Sequence, residues 1–198
     1  MNKIITIGRE FGSGGREIGY KLAQKLGIPF YDKEIITYAT QEGALSPDIL
    51  ERYEESVQFG TFMHGAYNVY SLYHPVSITD RVFLAQQKVI KELAEKGPCV
   101  IVGRCANYIL GDRAISVFVR ADLEARIARK QALATDVAPK DMAAHVKAID
   151  KKRKQFYEHY SEQKWGRAEN HHLCIDTTHI SLDTAVETVY AFVKGFNK

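Results

Sequence analysis

The 198 residues are 45% apolar and 26% charged, with 14 glycines and 5 prolines, a composition that fits one globular domain and excludes disordered, collagen-like and low-complexity readings. No apolar run approaches the roughly 20 residues of a membrane helix, and three cysteines without CxxC spacing argue against a disulfide framework or a zinc site. The formal charge of +3 is too small to mark a nucleic-acid binder, yet residues 120–167 hold 12 Lys or Arg against 7 Asp or Glu, a basic stretch able to hold a polyanion.

Met1 runs directly into a strand-like segment, so no signal peptide is expected and the cytoplasm is the expected address. Lys3-Ile4-Ile5-Thr6-Ile7, ending at Gly8, reads as a buried strand. After a glycine-rich turn, Ile18, Leu22 and Leu26 mark a helix that stops at Gly27. Phe30-Tyr31 can begin a second short strand, and Ser46-Pro47 is a helix start. The aromatic segment from Gly60 to Pro75 has no period and reads as a partner-facing excursion. Thr79 is the expected cap of a long helix through Val82, Ala85, Val89 and Leu93, ended by Gly97-Pro98. Cys99–Val102 and Ile115–Val119 read as strands. Residues 122–134 and about 139–163 read as two charged helices joined near Pro139. Leu173-Cys174-Ile175 is a last strand, followed by a helix over 182–196.

Strands apolar on both faces and separated by helices predict an α/β fold, a three-layer parallel sheet flanked by helices. Ligands of such folds sit at the carboxyl ends of the strands. Gly8, Gly103-Arg104 and Asp176 stand at those ends.

The turn Gly8-Arg9-Glu10-Phe11-Gly12-Ser13-Gly14-Gly15-Arg16-Glu17 lies between a buried strand and an amphipathic helix, the setting of a phosphate-binding loop. Four glycines within residues 8–15 exceed what a plain connection needs, since each costs conformational entropy. The match to G-x-x-x-x-G-K-[ST] is imperfect, for Gly15 stands where the lysine belongs. Arg16 is the nearest substitute cation. Glu17 either complements the helix dipole and pairs with Lys21, or reaches a magnesium ion.

The blocks at 8–19, Phe-Tyr-Asp-Lys-Glu-Ile at 30–35, Val-Ile-Val-Gly-Arg-Cys-Ala-Asn-Tyr-Ile-Leu at 100–110 and Lys-Trp-Gly at 164–166 together resemble the cytidylate kinase-like family, relatives of the nucleoside monophosphate kinases. The resemblance implies one P-loop kinase domain over 1–198, with a monophosphate-binding region at 33–78 and a basic helical lid at 122–166. It implies ATP and Mg2+ as cofactors and transfer of the γ-phosphoryl to CMP or a related small acceptor. Gly12, Ser13, Gly14, Gly15 and Arg16 would hold the donor phosphates. Asp32 and Arg104 would face the acceptor, and Arg126, Arg129, Asp150 and Arg153 would belong to the lid. Cys105 stands where cytidylate kinases have Asp.

The residues support the same reading from below. Phosphoryl transfer needs several converging cations, and Arg126 with Arg129, like Asp150 with Arg153, share a helix face. Arg104 follows a buried strand and a glycine, so it points into the crevice. Arg81 could face the acceptor. Asp176 is read as structural, holding the loop region together, and Trp165 as packing beneath the lid. His171 and His172 are read as structural or solvent-facing. The alternative function is a nucleotide-binding regulatory module with little or no kinase activity. Nucleic acid is an unlikely partner, since no aromatic residues interleave the basic charges. A homo-oligomer contact through residues 60–75 would explain the aromatics there.

Overall fold

The computed structural model of the chain describes residues 3–32, 35, 77–133 and 141–196. The expected helix start at Ser46-Pro47, the segment 60–75 and the junction at Pro139 lie outside them. Strand β1 (Ile4–Arg9) is followed by α1 (Gly15–Leu26) and the two-residue β2 (Phe30–Tyr31). Then come α2 (Ile78–Lys96), β3 (Cys99–Val102), the short α3 (Ala106–Leu110) and β4 (Ala114–Arg120). Helices α4 (Leu123–Leu133) and α5 (Met142–Ser161) precede β5 (Leu173–Asp176) and α6 (Leu182–Gly195). Among the described residues no helix is long and apolar enough to cross a membrane.

The five strands form one parallel sheet in the order β2-β3-β1-β4-β5. The period of two sends alternate side chains of β1 to opposite faces. Ile4 joins Val82, Val89, Ile90, Leu93 and Ile101 under α2. Ile5 and Ile7 join Ile18, Leu22, Val117, Val119 and Val189 between α1 and α6. Burial on both faces explains why these strands carry β-branched runs without polar alternation.

The helix ends follow local chemistry. Gly14, at φ 86°, precedes α1, and Gly27, at φ 66°, ends it by donating its N–H to Ala23 O and Gln24 O. The cap of α2 is Ser77 rather than the expected Thr79: Ser77 Oγ accepts from Asp80 N at 3.0 Å. Ser77 keeps the non-helical backbone a cap requires, whereas Thr79 lies inside the first turn and reaches back to Ser77 Oγ at 2.9 Å. Asp141 caps α5 and Ser181 caps α6 in the same manner. Lys21 bonds Glu17 and Asp183, each at 2.8 Å, which stitches α1 to α6.

Candidate functional site

The carboxyl ends of β1, β3 and β4 meet below the loop between β1 and α1. Glu10 N donates to Val119 O at 3.0 Å, and Ser13 Oγ donates back to Glu10 O at 2.9 Å. Thr177 Oγ1 donates to Ser13 O at 2.7 Å, so the tie between loop and sheet edge comes from Thr177. Its neighbour Asp176 instead accepts from Thr178 and pairs with Arg120. Gly12, at φ 83°, and Gly14 are left-handed. A Cβ on Gly14 would stand 2.4 Å from Leu182 Cδ2, so both freedom of φ and lack of space demand glycine there. The loop opens on a cleft of about 660 Å³ lined by Arg9, Glu10, Gly12, Gly14, Gly15, Arg16, Glu17, Asp32, Arg129 and Arg153. Backbone amides at the positive end of α1 make such a cleft an anion site.

Two helices grip the loop from outside. Arg126 is buried, pairs with Asp150, lies 3.6 Å from Glu10 and donates to Phe11 O at 3.2 Å. Asp150 Oδ1 accepts from Phe11 N at 2.7 Å. Arg129 donates to Gly12 O at 2.6 Å and to Thr177 O at 3.1 Å. The Phe11 ring lies 4.6 Å from Lys130 Nζ and 5.6 Å from Arg153 Cζ, and His145 stands edge-on to it, a cation–π contact from each of the two helices. Burial raises the Glu10 pKa, against the opposing effects of its bond from Ala121 N and of Arg126. Arg126, Arg129 and Asp150, read as lid residues, thus all bond the loop's own backbone.

A second cluster forms around Asp32, which is 4% exposed. Its carboxylate accepts from Arg16 Nε at 2.7 Å and Arg104 Nη1 at 3.4 Å, with Arg9 Nη2 at 4.0 Å. Gly103, Arg104 and Cys105 have φ of 77°, 53° and 55°. Three left-handed residues in succession turn the chain sharply after β3 and carry the Arg104 side chain inward, at a conformational cost for the two that are not glycine. Burial, then the nearby Arg9, lower the Arg104 pKa to about 10, while Asp32 opposes them. The guanidinium therefore stays charged at neutral pH.

Beneath this cluster lies a small cavity of about 30 Å³, lined by Thr6, Arg9, Arg104, Phe118, Arg153, Trp165 and His171 among others. Arg9 and Arg153 line both spaces. Trp165 meets Phe118 edge-on at 5.5 Å. Arg81 is exposed in the first turn of α2, apart from the residues lining either space. Glu17 pairs with Lys21 at the cleft rim.

Sequence reasoning missed Arg9, Glu10 and Thr177 as site residues, and the Ser116 partner of His171, whose reading as structural holds. Charged Arg9-Glu10 directly after an apolar strand was the available signal. His171 had none, since its partner Ser116 is 55 residues away. His171 Nδ1 lies 2.7 Å from Ser116 Oγ, and burial pushes its pKa from 6.5 down to about 4, with His172 adding to the shift. The unfolded chain therefore binds this proton first. Stability should be complete above pH 6.5 and fall as the pH drops toward 4, by up to about 3 kcal/mol. Denaturant melts of wild type and His171→Gln at pH 7 and pH 4 check this: the variant should lose that part of the slope.

Comparison with known proteins places this geometry. The structure is similar to that of an uncharacterized protein from Eubacterium ventriosum, with 28% identity, TM-score 0.70, and 98% of this chain and 99% of that one covered. A shikimate kinase from Bacteroides thetaiotaomicron matches with 12% identity and TM-score 0.61 over 98% of this chain and 99% of that one. A gluconokinase from Sinorhizobium meliloti matches with 14% identity and TM-score 0.59 over 98% and 92%. These two likenesses establish the fold of the P-loop kinases. No curated protein matches the chain. The model of the cytidylate kinase-like family matches residues 4–179, from β1 to just past β5, and the chain belongs to that family.

Proposed function

We propose that the protein is an ATP-dependent phosphotransferase that moves the γ-phosphoryl group to CMP or a related small acceptor. The observation that carries this reading is the convergence of the glycine loop with Arg9, Arg16, Arg104 and Arg153 around two adjoining spaces. Gly12, Ser13, Gly14, Gly15 and Arg16 would hold the donor phosphates in the large cleft. Arg104 and Asp32 would face the acceptor, with residues 33–78 as its binding region and 122–166 as the lid. An acceptor oxygen attacks the γ-phosphorus in line, the bond to the β–γ bridging oxygen breaks, and ADP leaves with that oxygen. Such a reaction is driven by positioning and charge neutralisation, and fixed guanidiniums supply the latter without reorganising. Arg126 and Arg129 act through the loop by fixing its carbonyls.

The residues fit a polyphosphate: the loop glycines leave backbone free to approach it, and the cleft is rimmed by cations. Magnesium, when bound with ATP, neutralises phosphate charge. Of the carboxylates on the cleft wall, Asp32 and Glu10 face guanidiniums, and Glu17, on the first turn of α1, would face the metal by giving up its pair with Lys21.

A second reading, a nucleotide-binding regulatory module, is favoured by one observation. Arg16, nearest the missing lysine, is held by Asp32 at 2.7 Å rather than facing the loop alone. Purified protein offered ATP with each nucleoside monophosphate and with small hydroxyl acceptors separates the two. Acceptor-dependent ADP, greatest with a pyrimidine monophosphate, is expected. ATP binding by calorimetry without acceptor-dependent ADP would favour the module.

A further inference from the structure

The loop departs from the phosphate-binding pattern at three positions, and two of them mirror each other: Arg16 stands at the hydroxyl position, and the other two trade residue types. With Gly14 as the second glycine of G-x-x-x-x-G-K-[ST], the first falls at position 9 and the lysine at position 15. The chain has arginine at 9 and glycine at 15. The cation and the small residue have changed places.

The two positions also touch. A Cβ built on Gly15 would lie 2.6 Å from Arg9 Cβ and 3.3 Å from Arg9 Cγ. A Cβ atom cannot swing aside as a side-chain tip can, so Arg9 and any side chain at 15 exclude one another. The head of Arg9 reaches the place where a cation is needed. It lines both the large cleft and the small cavity, its side chain is 10% exposed, and its Nη2 is 4.0 Å from Asp32 Oδ1. Among the described residues three guanidiniums gather at the Asp32 carboxylate, and a gathering of cations on a cleft wall favours a bound anion. The lowered proton affinity of Arg104, caused in part by Arg9, reflects the same crowding.

We propose that Arg9, reaching in from the end of β1, supplies the bound polyphosphate with the cation that a loop lysine ordinarily supplies, and that Gly15 is kept small to admit it. This rests on the polyphosphate reading of the loop. A guanidinium in that position offers paired coplanar donors that can span two phosphate oxygens, where an ammonium is a point charge.

The test is an exchange of the two residues. Affinities for ATP and for tripolyphosphate are measured by calorimetry without acceptor, together with melting temperatures, for wild type, Arg9→Met, Gly15→Lys and the double variant Arg9→Gly/Gly15→Lys. Arg9→Met should weaken both ligands by about tenfold to a hundredfold while keeping the cooperative melt. Gly15→Lys alone should bind at least as poorly, because its stem meets Arg9. The double variant, which restores the pattern's first glycine and its lysine while Arg16 stays at the hydroxyl position, should regain most of the affinity. The proposal is overturned if Arg9→Met binds within about twofold of wild type, or if the double variant is no better than Gly15→Lys. Because these affinities need no acceptor, absence of phosphoryl transfer would count against the phosphotransferase reading alone. A wild type that binds neither ligand would overturn both.

Discussion

Replacing Asp32 with asparagine should lower the melting temperature by roughly 10 °C and cut phosphoryl transfer by about 10²-fold or more. The Arg104 side chain is fully buried, and among the described residues Asp32 is a carboxylate beside it. Asparagine keeps the shape and removes the charge, leaving three guanidiniums facing a neutral amide. Breaking one partner of a buried pair costs about 3–5 kcal/mol, and in a chain of this size each kcal/mol moves the melting point by about 2–4 °C. The loss of activity has a separate cause, because Asp32 also aims Arg9 and Arg16. Thermal melts and initial rates distinguish the two contributions. Adding Arg104→Met to Asp32→Asn should restore part of the melting temperature, since the stranded charge is gone, and none of the rate. An unchanged melting temperature in Asp32→Asn would mean that Arg104 does not depend on it.

The second large effect is expected from Arg126→Met. Arg126 stands between Glu10 and Asp150, and the Asp150 charge is among the causes that raise the proton affinity of Glu10. Removing it strands both against the loop, again at a cost of about 3–5 kcal/mol. The pH dependence reveals the mechanism. With Arg126 gone, the folded-state pKa of Glu10 rises further above its unfolded value. That contribution to stability is present at low pH and is lost as the pH rises through the folded pKa. The variant should therefore be less destabilised near pH 5 than near pH 7, the opposite slope to that set by His171. Denaturant melts at the two pH values measure it. A deficit independent of pH would assign the loss to the packing of the arginine stem instead.

The architecture was legible because its signals are local. Apolar runs at 4–7, 99–102 and 115–119 bounded by Gly8, Gly103 and Arg120, with fourfold spacing at Ile18, Leu22 and Leu26, determine strands and helices without tertiary information. The sequence places the helix start at Thr79, two positions past the Ser77 cap, because the backbone conformation that makes Ser77 the cap is not written in the residue types. The glycine loop and the placement of Arg104 in the crevice were legible for the same reason. The roles around them were not. Asp32 gathers arginines from β1, α1 and the turn after β3, and no spacing in a chain reports that convergence. Arg126 and Arg129 read as lid cations sharing a helix face, and they bond carbonyls of the loop more than a hundred residues earlier. Thr177 rather than Asp176 anchors the loop, a difference of one residue at a strand end where the side chain points to the opposite face.

Trp165 is the only tryptophan in the chain, and it lines the small cavity with Arg104 and His171 but not the large cleft. The protein thus carries a single natural fluorophore on the wall of one of the two spaces. On the proposed assignment of Arg104 to the acceptor, acceptor binding should change the Trp165 emission, read in real time and without a label while ATP is held at saturation.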